Sequence, residues 1–211
     1  KIDFDEKVDL VGISAQTPVA PRAYQIAKEF RRRGIPVVMG GVHASVLSEE
    51  ALRHVDSVVI GEAETTWPQV LEDFRQGKLQ KIYRSNGWIK GNEIPVPRRE
   101  LLNHRFYFPL KLLETTRGCP HRCDFCQVSR FFGNRYRTRP ITDITKELDA
   151  VFGPGPVMPG WATKLLSLVS ADLPYFLKRR LMYIIDNNVA ANRKFAVELL
   201  SLVKDYDLLW W

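Results

Sequence analysis

All three cysteines of the 211-residue chain fall in one stretch, GCPHRCDFC, from Gly118 to Cys126. Cys119, Cys123 and Cys126 are spaced C-x3-C-x2-C, so one short loop carries three soft thiolate donors able to converge on a single metal centre. An odd number of cysteines in a tight cluster points to metal chemistry in a reducing compartment, not to a disulfide framework. Three thiolates are also one short of the four ligands that an iron–sulfur cube ordinarily takes. A metal left with an open position is where chemistry happens. Gly118 and Pro120 set the turn, and Asp124 and Phe125 fill the last gap. His121 offers a competing reading as a fourth ligand to zinc, although zinc ligands usually come as two separated pairs.

A group of arginines follows directly: Arg130, Arg135, Arg137 and Arg139. A guanidinium pairs with carboxylate or phosphate through its planar fork, so these residues are candidates for holding an anion beside the metal. Arg137 and Arg139 occupy alternate positions of an extended segment and are expected to act together. The bland alternative is a solvated basic face. Over the whole chain 31 Lys and Arg stand against 24 Asp and Glu, a net charge of +7 that favours anionic ligands and leaves nucleic acid open as a partner. An apolar fraction of 45% marks a globular chain, and its longest apolar runs, such as LLSLV at 165–169, are too short to cross a bilayer.

The elements that must position these residues follow an α/β alternation. VDLVGISA (8–15), IPVVMGG (35–41) and SVVIGEA (57–63) read as buried strands. Ala23, Ile26, Ala27 and Phe30 recur at helical spacing between the first two, with Arg31, Arg32 and Arg33 complementing the dipole at the helix end. Ser48 to Val55 reads as a short helix. Trp67, Val70, Leu71 and Phe74 form another apolar stripe, with Pro68 in its first turn. Apolar strands separated by helices imply a parallel sheet with right-handed crossovers. Residues 80–109, polar and rich in Pro and Arg with an Asn-Gly pair at 86–87, read as a linker carrying a small hairpin. A second unit starts at 110. LKLLETT (110–116) is a strand running into the cysteine loop, Ile141, Ile144, Leu148 and Val151 mark a helix, LMYIIDNN (181–188) another strand, and Ala196, Leu199, Leu200 and Val203 another helix. DLLWW (207–211) reads as a strand beginning, while 153–180 fits the alternation poorly.

GCPHRCDFC resembles the signature of the radical SAM enzymes, C-x3-C-x-aromatic-C, with Phe125 at the aromatic position. The resemblance implies that Cys119, Cys123 and Cys126 hold a [4Fe–4S] cluster whose fourth iron is chelated by S-adenosylmethionine. Phe125 would lie against the adenine, and reductive cleavage would give a 5′-deoxyadenosyl radical. An external electron donor such as flavodoxin or ferredoxin, and a small-molecule substrate, follow as partners. Upstream, glycines at the ends of three successive strands let backbone approach a ligand at the carboxyl edge of a parallel sheet. With the cysteine loop downstream, this is similar to a cobalamin (B12)-binding domain fused to a radical SAM barrel. By that resemblance Ser14, Gly40, Gly41 and His43 lie along the cobalamin nucleotide tail, Gly61 and Glu62 belong to the GE-x-E turn, and Asp186 and Asn188 sit at the barrel mouth near S-adenosylmethionine. His43 is expected as a tail contact and not as a cobalt ligand. No catalytic residue is assigned.

The resulting expectation is an α/β chain: a partial Rossmann-like B12-binding domain over 1–79, a linker over 80–109, and the N-terminal part of a radical SAM (β/α) TIM-type barrel over 110–211. The chain begins without methionine and shows few strands for either fold, so it reads as a cytoplasmic fragment of a longer enzyme, inactive by itself. The expected reaction is methyl transfer or a related radical reaction. A tRNA methylthiotransferase is the rival enzyme, and a zinc-stabilised binding module the rival without catalysis. The former usually carries further cysteines in its first domain, and residues 1–110 have none.

Overall fold

The computed structural model describes residues 2–102, 111–153, 181–206 and 208–210. They form two compact units, Lys1–Ile89 and Lys90–Trp211.

In the first unit four strands, β1 (Val11–Ser14), β2 (Val37–Gly40), β3 (Ser57–Ile60) and β4 (Ile82–Arg84), lie side by side in chain order, all parallel. The two central strands β2 and β3 are buried on both faces, which is why they read as unbroken apolar runs instead of alternating ones, whereas the edge strands β1 and β4 alternate with exposed residues. Val37, Met39, Val58 and Ile60 pack on one side with Ala23, Ala27 and Phe30 of α1 (Ala20–Arg32), Ala44 of α2 (Gly41–Val46) and Ala51 of α3 (Ser48–Leu52). Val38 and Val59 pack on the other side with Val70 and Trp67 of α4 (Trp67–Arg75). The alternation follows from the two-residue period of a strand. Gly12 faces the Trp67 ring so closely that a Cβ there would stand 3.2 Å from it.

The expected hairpin in 80–109 is corrected. Ile82–Arg84 runs parallel to β3 with Val59 opposite Tyr83, and Tyr83 is buried with its hydroxyl donating to Asp73 at 2.8 Å. Nor are these residues a separate linker: 80–89 belong to the first unit, and Arg99 is ion-paired inside the second. Proline and charge gave the segment its loop character, and the tyrosine anchoring it was hidden among polar neighbours.

The second unit has three parallel strands, β5 (Lys111–Leu113), β8 (Leu181–Ile184) and β9 (Leu209–Trp210), in the order β5-β8-β9. Helices α6 (Ile141–Phe152) and α7 (Arg193–Asp205) supply the core with Ile144, Leu148, Phe195, Leu199 and Val203 against Leu113 and Met182. Asn192 caps α7, its side chain accepting from the Phe195 amide at 3.1 Å. The strand expected over 110–116 breaks after Leu113. Thr116–Arg117 leaves the sheet as β6 and pairs antiparallel with β7 (Arg137–Thr138). Of the irregular segment 153–180, all but Gly153 lies outside the described residues. No helix among the described residues is long and apolar enough to cross a membrane.

Candidate cofactor sites

The cysteine loop hangs from a two-stranded neck. β6 and β7 pair Thr116 with Thr138 and Arg117 with Arg137, closing residues 118–136 into one excursion. Gly118, immediately before Cys119, has φ +84°, and a Cβ on it would lie 2.2 Å from the Arg135 carbonyl oxygen. Only glycine fits where the two sides of the neck approach so closely.

The base of the neck is clamped from two sides. From just past β8, the Asp186 carboxylate accepts the amides of Thr115 at 2.6 Å and Thr116 at 2.9 Å, and also takes the Thr115 hydroxyl. Burial pushes the Asp186 pKa up, and the hydrogen bonds from Thr115 and Thr116 oppose that shift. From the other side Arg139 donates its amide to the Thr115 carbonyl at 2.9 Å and its guanidinium to the Glu114 carbonyl at 2.7 Å. The same guanidinium lies 2.7 Å from Glu147, which also meets Arg99 at 2.5 Å, and Glu147 is only 1% exposed. One buried carboxylate thus balances two guanidinium groups, each of which also reaches a β5-segment carbonyl: Arg99 that of Leu112, Arg139 that of Glu114. An arginine–carboxylate network of this kind is costly to disrupt from one side.

This arrangement corrects the expectation for the arginines. Arg139 is 2% exposed and is taken up by Glu147 and the backbone, so it does not act with Arg137 as an anion clamp. Arg137 donates to the Phe132 carbonyl within the loop at 3.2 Å. Asp186, expected at the barrel mouth near S-adenosylmethionine, anchors the neck.

Within the loop Cys119 and Cys126 are partly buried, Cys123 is exposed, and the Cys126 amide closes a turn on the Cys123 carbonyl at 3.0 Å. Helix α5 (Gln127–Phe131) starts directly after Cys126. Phe125 is 93% exposed, its ring projecting from the loop, and His121 is exposed too. Among the described residues no three His, Cys, Asp or Glu side chains are gathered tightly enough to hold a metal ion, so the thiols share a loop without yet sharing a point. As a donor set they suit an iron–sulfur cluster: three soft ligands, accessible, on a loop whose two ends are fixed. Asn188, just past β8, places its Nδ2 3.8 Å from the Cys119 sulfur.

In the first unit the carboxyl ends of β2 and β3 carry glycine turns, beside the end of β1. Gly41 has φ +89°, and a Cβ there would lie 2.8 Å from the Ala15 carbonyl and 2.9 Å from the Ser14 hydroxyl. The turn is therefore pressed against the end of β1, and the His43 amide donates to Ala15 O at 3.1 Å. Ser45 ties this turn to the next, donating to Gly41 O at 2.8 Å and accepting from the Gly61 amide at 3.0 Å. Ser14 is exposed, and Gly40, Gly41 and Gly61 are half-buried, which leaves small residues and backbone along the sheet edge. Such an edge can admit the tail of a large ligand.

Two residues expected as contacts at this edge have partners inside the unit. His43 is 2% exposed, with Nε2 2.6 Å from the Tyr24 hydroxyl and Nδ1 3.3 Å from Thr17 Oγ1, so both ring nitrogens are occupied inside the unit. Glu62 is 5% exposed and accepts the Ile89 amide at 2.9 Å, fixing the end of the segment after β4. Ser14, Gly40, Gly41 and Gly61 thus remain along the open edge, while His43 and Glu62 are hydrogen-bonded within the unit.

Sequence reasoning missed Glu147, Ser45 and the role of Asp186. Glu147 had a signal, since it lies on the apolar stripe of α6 between Ile144 and Leu148, where an acid implies a buried cation. The bonds of Ser45 to Gly61 and of Asp186 to Thr116 had none, because these partners lie 16 and 70 residues away.

The chain is similar to known proteins. Residues 4–71 match the B12 binding domain family. Over 99% of its length the chain is 31% identical to the bacteriochlorophyllide d C-8(2)-methyltransferase of Chlorobaculum tepidum, covering 44% of that protein. It is 32% identical to the bacteriochlorophyllide d C-12(1)-methyltransferase of the same organism, over 67% of this chain and 32% of that one. The fold is similar to the solved structure of TsrM, a radical S-adenosylmethionine methyltransferase from Kitasatospora setae with cobalamin and a [4Fe-4S] cluster bound. The TM-score is 0.64 at 17% identity, covering 94% of this chain and 42% of that chain. The chain spans less than half the length of each of these proteins.

Proposed function

We propose that this chain, which belongs to the B12-binding-domain radical SAM proteins, forms the cofactor-holding part of a cobalamin-dependent methyltransferase. Cys119, Cys123 and Cys126 are the ligands of a [4Fe–4S] cluster, and the projecting Phe125 ring is the surface for the adenine of S-adenosylmethionine. Ser14 and the turns at Gly40–Gly41 and Gly61 line the seat of the cobalamin tail. With these cofactors bound, S-adenosylmethionine at the cluster supplies a 5′-deoxyadenosyl radical, and cobalamin supplies the methyl group. The chain's own residues bind and orient. The neck fixes the ends of the cysteine loop, Asp186 and Arg139 fix the neck, and Ser45 holds two turns of the cobalamin edge together. β5, β8 and β9 are read as the opening strands of a (β/α) barrel, and turnover on a small-molecule substrate, fed by an external electron donor, belongs to the longer protein.

The observation that carries this reading is the joint occurrence of the C-x3-C-x2-C loop after β6 and a B12-binding match over 4–71. Anaerobic reconstitution with iron and sulfide tests the first half. The chain should take up a cluster absorbing in the [4Fe–4S] region, and Cys119→Ala, Cys123→Ala and Cys126→Ala should each abolish it. Equilibrium dialysis against hydroxocobalamin tests the second, with uptake by the chain and loss of uptake in Gly41→Val. Full iron retention in all three cysteine variants, or no cobalamin uptake by the unsubstituted chain, refutes the corresponding half.

A further inference from the structure

The geometry points to Asn188 as a residue that sets the reduction potential of the cluster, through an N–H···S hydrogen bond to Cys119. The inference rests on the proposal that the three cysteines hold a [4Fe–4S] cluster. Its structural basis is a side chain whose orientation is decided by its neighbours. Asn188 Oδ1 accepts the Ala190 amide at 3.2 Å, so the amide nitrogen must be the end that faces the thiol, and Nδ2 lies 3.8 Å from Cys119 Sγ. The backbone around it is held on both sides. Asp186 is bound to the Thr115 and Thr116 amides, and the Val189 carbonyl accepts the Tyr136 hydroxyl at 3.2 Å. Tyr136 comes from the cysteine loop itself, so the loop and the segment carrying Asn188 are tied together next to the contact.

A neutral donor against a cluster sulfur matters through charge. Reduction adds one negative charge to the cluster and its thiolates, and a hydrogen bond to a charged acceptor is stronger than one to a less charged acceptor. The Asn188 amide therefore stabilises the reduced state more than the oxidised one and raises the potential, as hydrogen bonds to cluster sulfurs do in general. Asn188 does not touch substrate in this account; it is a positioning and tuning residue acting through Cys119.

Two variants separate tuning from simple support of the loop. Asn188→Ala removes both ends of the amide. Asn188→Asp keeps the acceptor for the Ala190 amide and replaces the donor facing Cys119 with a carboxylate oxygen. The reconstituted chain and both variants are titrated with dithionite in the absence of S-adenosylmethionine, and the reduced fraction is followed by electron paramagnetic resonance. Asn188→Ala is expected to lower the reduced-to-oxidised ratio at fixed potential about tenfold, a downward shift of about 59 mV for one electron. Asn188→Asp is expected to shift it further in the same direction. Cluster-loaded variants that both titrate at the unsubstituted potential overturn the inference and leave the cluster assignment standing. Failure of the unsubstituted chain to take up a cluster removes the assignment, and this inference with it.

Discussion

Replacing Gly118 with Ala should open the neck of the cysteine loop. The new Cβ would stand 2.2 Å from the Arg135 carbonyl oxygen, where 3.0 Å is the shortest approach real Cβ atoms make, so the two sides of the neck must part by about 0.8 Å. The backbone at this position is left-handed, φ +84°, which costs an L-residue about 1–2 kcal/mol before any contact is counted. Parting the neck then strains the hydrogen bond from the Arg139 amide to Thr115 O and those from the Thr115 and Thr116 amides to Asp186. At roughly 1 kcal/mol net for each bond lost, losing two brings the local cost to about 3–4 kcal/mol. Hydrogen exchange reads this directly, because protection reports the free energy of local opening. The amides of Thr115, Thr116 and Arg139 should lose protection by a factor of ~100 or more, at ~1.4 kcal/mol per tenfold. The Val58 amide, bonded to Lys81 O in the first unit's sheet, is the internal control and should not change. Protection at Arg139 within twofold of the unsubstituted chain would refute the account of the neck.

Two other perturbations test the buried polar groups. Glu147→Ala leaves Arg99 and Arg139 buried without their shared counter-charge and should destabilise the second unit by about 3–5 kcal/mol, read as a lower urea midpoint for exchange of α6 and α7 amides; a loss under about 1 kcal/mol would contradict the ion network. Burial and the neighbouring Glu50 hold the Tyr24 pKa at about 12, above its ordinary 10, so the stability it contributes is fully present below pH 10 and is lost as pH rises through about 12. The urea midpoint of the first unit should fall across that window, and Tyr24→Phe should flatten the fall; an unchanged pH profile in the variant would count against it.

The α/β class, the first three strands of the first unit (though β1 is half exposed) and the C-x3-C-x2-C donor set were all legible in the sequence, because each is local. A strand buried on both faces shows as a continuous apolar run, a helix shows its stripe, and three thiols within eight positions declare a shared ligand whatever surrounds them. The glycines at the strand ends were legible for the same reason, since a left-handed turn admits little else. Tertiary structure decided what the polar residues do. His43 and Glu62 looked like ligand contacts by position, yet Tyr24, Thr17 and the Ile89 amide draw them inside, since a buried polar group must find a partner. Arg139 looked like an anion clamp until Glu147, on the next helix, neutralised it. Asp186 and Asn188 stood adjacent in the sequence to everything that made them look like cofactor contacts, and their partners in the fold, Thr115, Thr116 and Cys119, are about 70 residues upstream. Side-chain chemistry and short spacing fix what a residue is able to do; which of its possible partners it meets depends on chain closure over distances that no local pattern encodes.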